Sequence, residues 1–129
     1  MGAGSDSRLD RLLTPGRGPG WAKVAEAVAG RVPPAEIETI YVFRPYRREG
    51  REWGTAVVTR RAPDGRLGVY TARYMLVLRG KERGRSRVDV EEVALSPAQV
   101  VERVMQATAA RLGDAEPPVA VGPAVWYEG

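Results

Sequence analysis

The sequence predicts an α+β fold: a helix, a four-stranded antiparallel β-meander and a C-terminal helix, with both helices on one sheet face and an extended C-terminal tail. Three observations carry that expectation. The stretch WAKVAEAVAG spaces its apolar residues at three and four, four β-branched and aromatic runs alternate with short turn signals, and a segment near the C-terminus has a full set of helix start and stop residues. At 129 residues the chain fits one domain that can bury a core. The expected division is a flexible N-terminal arm over 1–20, a single α+β domain over 21–113 and an extended Pro/Val-rich tail over 114–129.

In the arm, SDSRLDRLL reads as a short helix with Leu9, Leu12 and Leu13 on one side. Two prolines and three glycines in TPGRGPG, Thr14 to Gly20, then interrupt regular structure. The firmer helix follows, with Trp21, Val24, Ala25 and Val28 on one face and Gly30 as its stop. RVPP closes it, because a residue before proline is pushed out of the helical region.

The four strand-like runs are Ile37 to Tyr46, Arg51 to Arg61, Arg66 to Arg79 and Arg85 to Leu95. RREG, PDG and GKERG connect them. PDG is the strongest signal, since Pro63 presets a type I turn and Gly65 suits the left-handed position. In SPAQVVERVMQATAARLG, Ser96 is placed as N-cap, Pro97 as first helical residue, Gln99 as capping-box partner and Gly113 as C-terminal stop. Val101, Val104, Met105, Thr108 and Leu112 form the expected apolar stripe. The tail is Pro-broken and apolar.

Loop lengths fix register. The expected pairs are Tyr46 with Arg51, Ala62 with Arg66 and Arg79 with Arg85. One face then collects Ile37, Tyr41, Phe43, Gly54, Ala56, Val58, Tyr70, Ala72 and Tyr74, with Arg60 as its main charge, and is the core that receives the helices. The other collects Arg44, Tyr46, Arg51, Trp53, Arg61 and Arg73 over an aliphatic floor that includes Ile40, Val42, Val57 and Val69. In that register Arg44 lies opposite Trp53 and Arg73 opposite Glu91, a cation–π contact and a charge pair. This second face is too apolar for plain solvent and too charged for an ordinary core. Either the chain's own tail, Val119 to Tyr127, or its N-terminal arm covers it, or a partner does.

Composition narrows the chemistry. There is no cysteine and no histidine, which removes thiolate chemistry, the commonest general base and the commonest transition-metal ligands. The carboxylate cluster DVEE places Asp89 and Glu91 on one face beside Arg73, which reads as a neutralised pair, and no nucleophile–base set accompanies it. GRGPGW lacks the preceding strand and the following Lys-Ser/Thr of a phosphate loop, so it reads as a hinge. No cofactor or metal is expected, and the chain is not expected to be an enzyme.

Charge is segregated. From Arg44 to Arg87 there are 13 basic and 4 acidic residues, and in the rest of the chain 7 and 12. The expected function is that of a small non-catalytic binding or accessory protein whose mixed face mediates protein–protein association, self-association to a homodimer included. Arg44, Trp53 and Arg73 are placed at the centre, with Tyr46, Arg51 and Arg61 around them. One alternative is single-stranded nucleic acid on the same face, helped by Arg47 and Arg48. Another is a small ligand between sheet and helices, lined by Tyr41, Tyr70 and Tyr74. The N-terminus has no apolar run of signal-peptide length and no run spans a membrane, so a cytoplasmic location without membrane contact is expected.

Overall fold

Helix α1, Gly18–Ala29, opens the described part of a computed structural model that covers residues 18–113 and 116–122. A 3-10 turn at Pro34–Glu36 leads into β1 Ile37–Val42, β2 Tyr46–Arg48, β3 Arg51–Arg61, β4 Leu67–Val77 and β5 Ser86–Val93; α2 Pro97–Leu112 and β6 Val119–Val121 complete the order. The expected Leu9/Leu12/Leu13 helix, most of the N-terminal arm and the tail from residue 123 lie outside the described residues. Gly18 to Gly20 belong to α1, so the breaker run ends three residues earlier than expected.

The sheet is antiparallel with order β5-β4-β3-β1-β6, and β2 pairs with β3 where β1 has ended. It therefore has six strands where four were expected. Arg44 and Pro45 split the expected first strand: Val42 opposes Ala56, yet Tyr46 opposes Trp53. One residue too many lies on the β1–β2 side, as in a bulge, and Pro45 has no N–H to give to the ladder. The tail supplies the sixth strand, which pairs Val121, Ala120 and Val119 with Ile40, Tyr41 and Val42.

The three hairpins differ in how well local sequence fixed them. The PDG hairpin has the expected register, with Arg61 opposite Leu67, Gly65 at φ 88° and its N–H donating to the Ala62 carbonyl at 2.8 Å. The first turn is shorter than expected, because Arg48 rather than Tyr46 opposes Arg51. Glu49 and Gly50 take φ 54° and 76°, the two positive values of a type I′ turn. The third connection is two residues longer than expected, and Asp89 rather than Glu91 opposes Arg73.

A shift of two preserves faces, whereas a shift of one inverts them. The bulge and the tight turn together move β1 by one. Ile40 and Val42 consequently pack with Ala56 and Val58 under α1. Tyr41 and Phe43 turn to the other side with Val57 and Val69. Both faces thus carry a core, and the helices lie on opposite faces rather than on one. The first core joins Trp21, Val24 and Val28 of α1 to Ala56, Ala72 and Tyr74, with Val119 and Val121 at its edge. The second sets Val100 of α2 on Phe43, Val57 and Val69.

The ends of α2 are as expected. Ser96 Oγ accepts from the Gln99 N–H at 3.2 Å, the Gln99 side chain accepts from the Ser96 N–H at 3.0 Å, and Gly113 closes the helix at φ 76°. Its buried residue is not in the expected stripe. Val100 is 2% exposed, while Leu112 is 43% exposed. Val101, Val104 and Met105 pack around Val100 only partly buried.

On the α1 side, Tyr74 organises the packing. Its ring meets Trp21 edge-on at 5.0 Å, and Gly20 and Gly54 flank it so closely that a Cβ at either position would stand 2.4 or 2.2 Å from a ring carbon. Its hydroxyl donates to Glu52 Oε2 at 2.7 Å, and Glu52, only 8% exposed, also accepts from Arg47 Nε at 3.0 Å. Arg60, expected as the main charge of this face, donates to the Tyr70 hydroxyl at 3.4 Å and pairs with Glu36 at 2.9 Å, which together hold its pKa above the usual arginine value.

Burial, and then the bond to Glu52, push the Tyr74 phenol well above its ordinary range. A group whose folded pKa is raised stabilises the fold below its unfolded pKa, about 10 for tyrosine, and loses that contribution as pH rises past it. Wild type should therefore weaken in urea titrations above about pH 10. Tyr74→Phe should flatten that decline while costing about 1–3 kcal/mol at neutral pH, because buried Glu52 loses a donor. An unchanged alkaline decline in Tyr74→Phe would contradict the assignment.

Candidate interaction surface

Helix α2 shields Phe43, Val57 and Val69, and beyond them the same sheet face stays partly open. The register lines up Tyr46, Trp53, Met75 and Arg87 across β2, β3, β4 and β5. With strands about 4.8 Å apart the row is roughly 15 Å long. Tyr46, Trp53 and Met75 are half-buried and Arg87 is exposed. One row toward the hairpin tip stand Arg48, Arg51 and Val77, and one row the other way Thr55, Arg73 and Asp89.

Four of the expected binding residues therefore share this surface: Tyr46, Arg51, Trp53 and Arg73. Tyr46 is further fixed by α2, since Arg111 Nη1 donates to its hydroxyl at 2.9 Å. Arg44 is not opposite Trp53; it sits in the bulge and pairs with Glu116 at 3.0 Å. Arg61 lies eight residues along β3, roughly 26 Å away, with its guanidinium on both Glu38 oxygens at 3.1 and 3.5 Å. Arg47, tied to Glu52, points to the α1 face, whereas Arg48 is on the Trp53 side. Met75 and Arg87 complete the row. Alternation places them on this face, but only the true β3–β4–β5 register puts them in line with Trp53.

Charge is unevenly spread over the surface. Toward β5, Arg73 faces Glu91 at 3.8 Å and Arg87 faces Asp89 at 3.5 Å, exposed pairs that neutralise one another but contribute little stability. At the hairpin end, Arg48, Arg51, Arg79, Lys81 and Arg83 have no acidic partner among the described residues. The acids Asp89 and Glu91 are thus each engaged by an arginine. Among the described residues no group of three His, Cys, Asp or Glu side chains could hold a metal ion, and no helix there is long and apolar enough to cross a membrane.

The three tyrosines expected to line a ligand pocket are divided by the sheet. Tyr70 and Tyr74 are buried on the α1 side, and Tyr41 packs on the α2 side. They line no common space.

The fold and surface define an α+β chain with helices on opposite sheet faces and a partly open aromatic and arginine row. No protein family, no curated protein and no solved structure matches the chain.

Proposed function

We propose that the chain is a non-catalytic binding protein that meets a protein partner, a second copy of itself among the candidates, through the row centred on Trp53. The observation that carries the reading is the alignment of Tyr46, Trp53 and Met75 beside Arg51, Arg73 and Arg87. Aromatic residues, Met and Arg are enriched at the energetic centres of interfaces, and half-buried rings lose little rotamer freedom on contact. The β5 side is charge-balanced, which suits a mixed protein surface better than a polyanion that would meet Asp89 and Glu91.

Single-stranded nucleic acid is the second reading, favoured by the uncompensated cations at the hairpin end. Salt separates the two. Phosphate contacts release counterions and weaken steeply as salt rises, while an interface centred on Trp53 does so far less. With Trp53 made the sole tryptophan by Trp21→Phe and Trp126→Phe, light scattering and fluorescence should show an associated species with a buried, salt-insensitive Trp53. Trp53→Ala should weaken that association at least tenfold. A monomer whose Trp53 responds only to a mixed-sequence oligonucleotide at low salt would replace the protein reading with the nucleic-acid one.

A further inference from the structure

The β2–β3 turn and the β4–β5 connection meet at one end of the sheet. The Leu78 N–H donates to the Gly50 carbonyl at 2.9 Å, so the backbone ties the two loops together. Between them lies a cleft of about 260 Å³ lined by three cations, Arg51, Arg79 and Lys81, and two carboxylates, Glu49 and Glu82. Glu82 is already engaged by Arg85. None of the three cations has an acidic partner among the described residues.

Two backbone features shape this cleft. Gly50, at φ 76°, lets Arg79 lie across the turn: a Cβ there would be 2.9 Å from Arg79 Nε. Glu49, at φ 54°, is the one non-glycine residue with positive φ among the described residues. Asn is the usual choice at such a position, so a glutamate there brings backbone strain and a negative charge to the rim.

We infer that this cleft binds a phosphate monoester. With Glu82 neutralised, three cations face one carboxylate, and a dianion completes the balance. Two guanidinium groups can fork onto phosphate oxygens while Lys81 acts as a point charge. A water molecule occupies about 30 Å³ of liquid, so the volume accommodates a phosphate with part of the group that carries it. Arg51 also flanks the Trp53 row, whereas Arg79 and Lys81 stand outside it, so substitutions at those two positions test the site separately from the protein-interface reading.

The test is calorimetric titration of the full chain with inorganic phosphate at constant ionic strength, with chloride as reference. Saturable binding is expected, strengthening between pH 5 and pH 8 as the second proton of phosphate leaves. Arg79→Gln and Lys81→Gln should each weaken it at least tenfold, Glu49→Asn should tighten it severalfold, and Trp53→Ala should leave it unchanged. Thermal unfolding of each variant without phosphate verifies folding, and Arg79→Lys should retain part of the affinity. O-phosphoserine and adenosine monophosphate then distinguish the carrier: tighter binding of the first assigns the ester to a protein side chain, of the second to a nucleotide. Unsaturable heats, an equal response to chloride, or wild-type affinity in folded Arg79→Gln and Lys81→Gln would overturn the site.

Discussion

Gly54→Val should lower the free energy of unfolding by about 3 kcal/mol or more, a large share of the 5–15 kcal/mol typical of a domain. The Cβ alone would stand 2.2 Å from one Tyr74 ring carbon and 2.7 Å from another. The ring has nowhere to retreat. Gly20 presses its other edge, with a Cβ position 2.4 Å from the ring, and Trp21 packs against it at 5.0 Å. Moving the ring would also withdraw its hydroxyl from Glu52, which lies 2.7 Å away and is nearly buried. Urea unfolding followed by circular dichroism measures the loss. Pairing Gly54→Val with Tyr74→Ala should recover part of it, because the two sites couple through direct contact. A Gly54→Val variant within about 0.5 kcal/mol of wild type would show that the ring packs elsewhere in solution.

Val100→Asp should detach α2 from the sheet. Val100 is the one buried residue of that helix and rests among Phe43, Val57 and Val69. Removing its burial forfeits about 1.5–3 kcal/mol, and an unpaired carboxylate in that environment adds several more. Few other contacts would hold the helix, since Val101, Val104 and Met105 are only partly buried. Far-UV helicity should fall and a dye that binds apolar surface should brighten as Phe43, Val57 and Val69 are uncovered. The α1 core, on the opposite face, should keep its Trp21 signal. Leu112→Asp offers the contrast: at 43% exposure it should cost no more than about 0.5 kcal/mol. Equal effects at Val100 and Leu112 would place α2 differently on the sheet.

The same contrast shows what helical periodicity leaves open. Periodicity identified α2 and named Leu112 in its stripe, but it could not say which of several apolar columns meets the sheet. That depends on the angle at which the helix crosses, and Val100 was chosen by the position of Phe43, Val57 and Val69. The surface behaves similarly. Trp53, Tyr46, Arg51 and Arg73 were legible from alternation along each strand. Their neighbours were not: the bulge at Arg44–Pro45 takes Arg44 away from Trp53, Arg61 lies eight residues along β3 beside Glu38, and Met75 and Arg87 come into line only through the true register.

The first hairpin shows the physical origin of the difference. A loop of four residues in RREG would have kept Glu49 out of the left-handed region, which glutamate disfavours. The fold accepts that strain, at φ 54°, and so extends β2 to Arg48 and brings Trp53 opposite Tyr46. The return from pairing across the sheet exceeds the local cost.

By itself the sequence determined what short-range interactions control: the capped α2, the apolar face of α1, the PDG hairpin and the antiparallel order of the main strands. Caps and type I turns are closed by residues a few positions apart, so their chemistry is written locally. Only the tertiary structure decided the one-residue displacement of β1, the placement of the helices on opposite faces, the recruitment of Val119–Val121 as an edge strand and the alignment of Tyr46, Trp53, Met75 and Arg87. Each depends on which of several nearly equivalent registers lets both faces of the sheet bury their apolar residues at once, a condition that no single segment of the chain contains.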